Sequence, residues 1–166
     1  PIITHPAGVP GPDQADAFLA GGVSPRGCLI GHSCGNPEHA YHRKIVDRGT
    51  YIGFDRIGML SVQSDEVRAD RLADLVKAGY GPQVMMSQDR YCFLRGKPPR
   101  PITEEEQARI AALRAEGKWL PYTHLFTDFF PKLRDRGMTD DEIYSILDDN
   151  PKRFFSGAAL STSVER

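Results

Sequence analysis

Cys28-Leu29-Ile30-Gly31-His32 is a short apolar run that ends in an imidazole. An unbroken apolar run of this length marks a strand buried on both faces, as in a parallel sheet covered by helices. The same pattern recurs on either side. Upstream, Ile2-Ile3-Thr4 leads into His5; downstream, Val84-Met85-Met86-Ser87-Gln88 leads into Asp89. A further run, Tyr51-Ile52-Gly53-Phe54, ends in Asp55-Arg56. Placed in one parallel barrel, these polar side chains all stand at C-terminal strand ends, the face where barrel enzymes keep their chemistry.

Helical stretches separate the runs. A helix is expected over 13–20, closed by Gly21-Gly22, and another over 38–48, stopped by Gly49. A third spans 65–78, with Ser64 as N-cap and Gly79 just past its end. Each unit is about 30 residues long, the size used by a (β/α)8 barrel. Beyond Asp89 comes a loop over 90–101 rich in Lys, Arg and Pro, then a charged helix to Glu116 opened by a Thr103/Glu106 capping box. The stretch 123–136 carries an apolar stripe of Leu125, Phe126, Phe129, Phe130 and Leu133, with Pro131 expected to kink it. Thr139 and Glu142 form a second capping box for a helix to Asp149, after which Asn150-Pro151 restarts a short turn ending in Phe154-Phe155. Residues 1–156 read as one domain and 157–166 as a polar, frayed tail.

Such a sheet of parallel strands has two open edges, and unpaired apolar edges invite aggregation. Half of a barrel, two copies completing each other, and an open doubly wound sheet all satisfy the pattern. The chain opens directly on a strand, with no initiator Met and no preceding cap or turn, so further residues are expected upstream.

Composition narrows the function classes. At 166 residues with 40% hydrophobic content, the chain can bury a real core. Its net charge of −1 provides no field for nucleic acid or an anionic membrane. Cys28, Cys34 and Cys92 are odd in number and widely spaced, which fits a reducing, cytoplasmic setting rather than a disulfide scaffold. No stretch approaches the roughly 18 apolar residues of a membrane helix.

Imidazole nitrogen and carboxylate oxygen are the ligands that zinc and related divalent cations take readily. His5, His32 and Asp89 therefore form the candidate metal set; the plainer reading has the histidines satisfying carbonyls and Asp89 capping a turn. Arg56 faces the same mouth, where it could hold a substrate oxygen or form a fixed ion pair with a loop carboxylate. Cys34, Tyr91 and Cys92 are placed in loops over this face as pocket residues, without a His–Cys arrangement that would activate a thiol. His39 and His42 read as solvated surface and His124 as structural. Neither G-x-G-x-x-G nor G-x-x-x-x-G-K-[ST] occurs.

Ile3-Thr4-His5, Ile30-Gly31-His32-Ser33, Ile52-Gly53-Phe54-Asp55-Arg56-Ile57-Gly58, Met86-Ser87-Gln88-Asp89 and Asp149-Asn150-Pro151-Lys152-Arg153-Phe154-Phe155 follow one another in an order that resembles the phosphotriesterase-like family of the amidohydrolase superfamily. The resemblance runs through Phe155 and implies an α/β fold, a partial (β/α)8 TIM barrel made of strands five to eight with their helices. It implies two divalent metal ions, zinc or else manganese or cobalt: His5 and His32 match ligands of one and Asp89 a ligand of the other. The family's remaining ligands, a His-x-His on strand one and a bridging lysine or glutamate on strand four, have no counterpart here.

The implied activity is cleavage of a lactone, carboxylic ester or phosphotriester by a hydroxide that bridges the metals. Asp89 accepts the proton, and Arg56, Tyr91 and Cys92 contact a small-molecule substrate. Asp55-Arg56 is closer to the lactonase branch, whereas the organophosphate-degrading branch has a histidine after the aspartate. Where relatives often carry a proton-relay aspartate, this chain has Gly35. The family's loop after strand eight, here 90–120, sets substrate choice. Family members are often dimers, so a homodimer is allowed, with no nucleic-acid or membrane partner. The isolated chain is expected to be inactive. The competing reading is a non-catalytic barrel relic or scaffold.

Overall fold

The apolar runs form β1 (Ile2–Thr4), β2 (Cys28–Ile30), β3 (Tyr51–Phe54) and β4 (Val84–Met86). The computed structural model describes residues 1–6, 9–90, 103–116 and 120–157. All strand pairs are parallel and the order is β1-β2-β3-β4, so each new strand is added beside the last. Helices α1 (Gly11–Ala20), α2 (His39–Val46) and α3 (Asp65–Lys77) connect them. After β4 come α4 (Glu104–Ala115), α5 (Phe130–Asp135), α6 (Asp140–Tyr144) and α7 (Asn150–Ser156).

Every residue of β2, β3 and β4 is buried, as the unbroken apolar runs require. Side chains alternate along each strand. Cys28, Ile30, Ile52, Phe54, Val84 and Met86 join the main core under the helices. Leu29, Tyr51 and Met85 point to the other face and form a smaller cluster with Phe154. Ile3 lies in register with Leu29, yet it is 48% exposed at the outer strand.

Helix termini follow local chemistry. The Ser64 side chain accepts from Val67 N–H at the start of α3. Both expected capping boxes form, Thr103 with Glu106 and Thr139 with Glu142. Asn150, fully buried, donates from Nδ2 to the Gly81 and Val84 carbonyls at 2.8 and 2.6 Å, which fastens α7 beneath the start of β4.

Several expectations are corrected. Pro131 and Pro151 each stand near the start of a helix directly preceded by a π turn, Leu125–Phe129 and Ser145–Asp149. Proline cannot donate an i→i−4 bond and crowds that carbonyl, and a widened turn relieves both. Asn150-Pro151 thus opens the helix α7, not a mere turn. Phe126 leaves the expected stripe and is 49% exposed. The expected tail falls on 157–166, of which only Gly157 is among the described residues.

The clearest correction concerns His42, which is fully buried rather than solvated. Its Nε2 donates to the Ser33 carbonyl at 3.0 Å, and its ring packs against Tyr41 and Phe54. Burial pushes its pKa down from 6.5 to about 4, against the opposing pull of the Ser33 carbonyl. The unfolded chain then binds a proton between pH 6.5 and 4 that the folded chain refuses. Its contribution to stability is complete above pH 6.5 and is lost as pH falls toward 4, by about 3 kcal/mol in total. Urea midpoints measured at pH 7, 5 and 4 should show this decline, and His42→Gln should flatten it.

Candidate active site

His5 follows β1 directly, His32 ends the β2 turn, Asp55 and Arg56 follow β3, and Asp89 follows β4. Parallel pairing brings these ends to one rim. His32 is 8% exposed and has a left-handed backbone, φ 53°, as does Asp89 at φ 47°. Non-glycine residues hold that conformation only where their surroundings enforce it.

Asp55 supplies the enforcement at His32. Its carboxylate accepts from the His32 backbone N–H at 2.8 and 2.9 Å and from ring Nδ1 at 3.0 Å. A carboxylate only accepts, so Nδ1 carries a proton, and in the neutral ring Nε2 then keeps its lone pair. That lone pair faces His5 Nδ1 at 2.6 Å, with the two rings edge to face and their centroids 4.3 Å apart. Glycines make room for the carboxylate: a Cβ on Gly31 would meet Thr4 O at 2.4 Å, and one on Gly53 would meet Asp55 Oδ2 at 2.9 Å.

Two imidazole nitrogens converge here, one oriented by a carboxylate on its far side. Metal-binding histidines are commonly held in this way. His5 and His32 therefore fit a shared divalent cation, and without one they fit a shared proton.

Asp89 pairs with Arg56, whose Nε lies 3.3 Å from its Oδ2. Arg56 thus stands in an ion pair with a carboxylate at the end of the next strand. No group of three or more His, Cys, Asp or Glu side chains converges as a metal site among the described residues. A cavity of about 470 Å³ opens beside Asp89, walled by Met86, Gln88, Tyr122, Leu125 and Leu147.

Cys34 does not line a pocket. It is buried, its Sγ accepts from Arg56 N–H at 3.4 Å, and burial, aided by the Asp55 charge, pushes its thiol pKa up. Gly35 sits in the turn Ser33–Gly35, against Val62. Tyr91 and Cys92 lie outside the described residues. His124 is structural, as expected, bonded to Asp65. The sequence reading missed Asp55 as the holder of His32; the signal was a strand-ending carboxylate facing a glycine that precedes a histidine.

The phosphotriesterase family profile matches residues 1–155. The chain is 30% identical over 157 residues to a phosphotriesterase homology protein of Mycobacterium tuberculosis, covering 93% of this chain and 45% of that protein. It is 32% identical over 158 residues to an aryldialkylphosphatase of Saccharolobus solfataricus, with 94% and 48% covered. Among solved structures, a variant of a PTE-like lactonase from Deinococcus radiodurans superposes with a TM-score of 0.76 at 38% identity, over 93% of this chain and 47% of that one. The chain belongs to the phosphotriesterase family and spans about half the length of these relatives.

The tautomer of His32 is directly measurable. Nitrogen chemical shifts should place its proton on Nδ1, and Asp55→Ala should shift the tautomer balance toward Nε2–H by about tenfold or more, the worth of one charge-assisted hydrogen bond.

Proposed function

We propose that this chain forms strands five to eight, with their helices, of a (β/α)8 metal-dependent hydrolase that cleaves lactone or carboxylic-ester bonds, or phosphotriester bonds. The observation that carries the reading is His5 and His32 facing each other at adjacent parallel strand ends, with Asp55 fixing the tautomer that leaves a lone pair between them. The names of the relatives, an aryldialkylphosphatase and a PTE-like lactonase, support both bond classes. The small-molecule substrate approaches the rim, where the cavity beside Asp89 offers a mixed wall of Met86, Leu125 and Leu147 with Gln88 and Arg90.

In the complete barrel, His5 and His32 would hold one divalent cation (zinc, manganese or cobalt) and Asp89 would be a ligand of a second. When bound, such cations polarise the electrophilic oxygen and make water acidic enough to attack near neutral pH. Asp89 accepts the proton of the attacking water at a carboxylate oxygen. Arg56, now beside Asp89, turns its guanidinium to the substrate oxygen and stabilises the charge that grows there. The 166 residues carry no counterpart of the remaining ligands of that barrel, so on this reading the chain alone is expected to be inactive.

Gly35, at the relay position, favours the second reading, a scaffold that keeps these residues as relics. Metal content separates the two: a full-length protein without stoichiometric metal is the scaffold. For the hydrolase, Asp89→Asn in the full-length enzyme should lower kcat on lactones and phosphotriesters by about 100-fold or more. Turnover within about threefold of the parent would remove Asp89 from the chemistry.

A further inference from the structure

Asp65 opens α3 and is only 4% exposed. A carboxylate so buried persists only where donors surround it. Its Oδ1 accepts from Gly58 N–H at 2.9 Å and from Arg68 Nη1 at 2.8 Å, and its Oδ2 accepts from His124 Nε2 at 2.6 Å. Arg68, fully buried, also donates from Nη2 to the Met59 carbonyl at 3.0 Å. The loop that carries Arg56 is therefore tied down at Gly58 and Met59, and the same carboxylate grips His124.

Gln88 grips that segment from the β4 side. Its Nε2 donates to the Pro121 carbonyl at 3.1 Å, and its Oε1 accepts from Leu125 N–H at 3.3 Å. No gap remains between loop and segment: a Cβ on Gly58 would lie 2.5 Å from Leu120 Cδ1 and 2.9 Å from His124 Cδ2. Gly58 stands two residues after Arg56, and Gln88 immediately precedes Asp89. The ties therefore bracket the Arg56–Asp89 pair on both sides.

We propose that Asp65 and Gln88 form a two-sided clamp on residues 120–125, and that this clamp sets the position of Arg56 and Asp89. The second half of the statement rests on the reading of that pair given under Proposed function. Asp65, His124 and Gln88 are positioning residues, acting through backbone that they hold.

Hydrogen exchange on the chain tests the clamp without any turnover. His124→Ala removes one donor while Asp65 keeps Gly58 and Arg68. The Gly58 and Leu125 amides should exchange about tenfold faster, with β2 and β3 unchanged. His124→Gln, which retains an N–H donor, should return them to within about threefold of the parent. Exchange at Gly58 and Leu125 within about twofold of the parent in His124→Ala would overturn the clamp, as would an equal rise throughout the sheet. In the full-length enzyme, Gln88→Leu should lower kcat about tenfold with KM held within about twofold; an unchanged kcat would overturn the positioning role. If the exchange pattern holds while the parent enzyme turns over no ester, the clamp stands and the hydrolase reading falls.

Discussion

Asp55 accepts hydrogen bonds from both the backbone and the ring of His32, at 2.8 to 3.0 Å. These charge-assisted bonds, about 1.5–3 kcal/mol each, offset a left-handed backbone that costs on the order of 1–3 kcal/mol. The consequence is chemical as well as conformational. With the proton fixed on Nδ1, the free lone pair can only point toward His5. Glycines at 31 and 53 belong to the same arrangement, since a methyl group at either would occupy the space of the carboxylate or its neighbouring backbone.

The residue after Asp55 works in the opposite direction. Consecutive side chains at the end of β3 reach to different neighbours: Asp55 back to β2 at His32, Arg56 forward to β4 at Asp89. A single inner strand thereby organises both of its neighbours' polar termini. Asp65 and Gln88 extend that order outward to residues 120–125 through polar contacts, half-buried at His124 and Leu125 and exposed at Pro121.

What was legible in the sequence follows this division. Ile30, Ile52 and Val84 announced strands because burial on both faces leaves no polar alternation to confuse the pattern. Thr103 and Thr139 announced helix starts because a capping box is local chemistry. His42 was not legible: a histidine on a helix reads the same whether it faces water or the Phe54 ring, and only tertiary packing decides. The π turns before Pro131 and Pro151 were hidden for a related reason, since proline shows that a helix must adjust but not how. The metal-ligand types were plain at positions 5, 32 and 89, whereas the partners that orient them depend on register, which no run of apolar residues specifies.

The two faces of the sheet are unequal, and this bears on how a half-length family member holds a site. The helix side carries the larger core, whereas the other side has Leu29, Tyr51, Met85 and Phe154, with Ile3 left largely in water. Apolar area exposed beside such a cluster is where added strands would contribute burial, at about 25 cal/mol per Å². The polar contacts of the rim begin on that same face: Gly31 and Gly53 follow Leu29 and Tyr51 at a spacing of two, and the Asp55 carboxylate lies over both glycines. His5 with His32, His32 with Asp55, and Arg56 with Asp89 each join neighbouring strands within the four described units. Their geometry is set by contacts between adjacent strands and by the gaps that Gly31 and Gly53 leave for the Asp55 carboxylate, so the rim is ordered by the same strands that carry the smaller cluster.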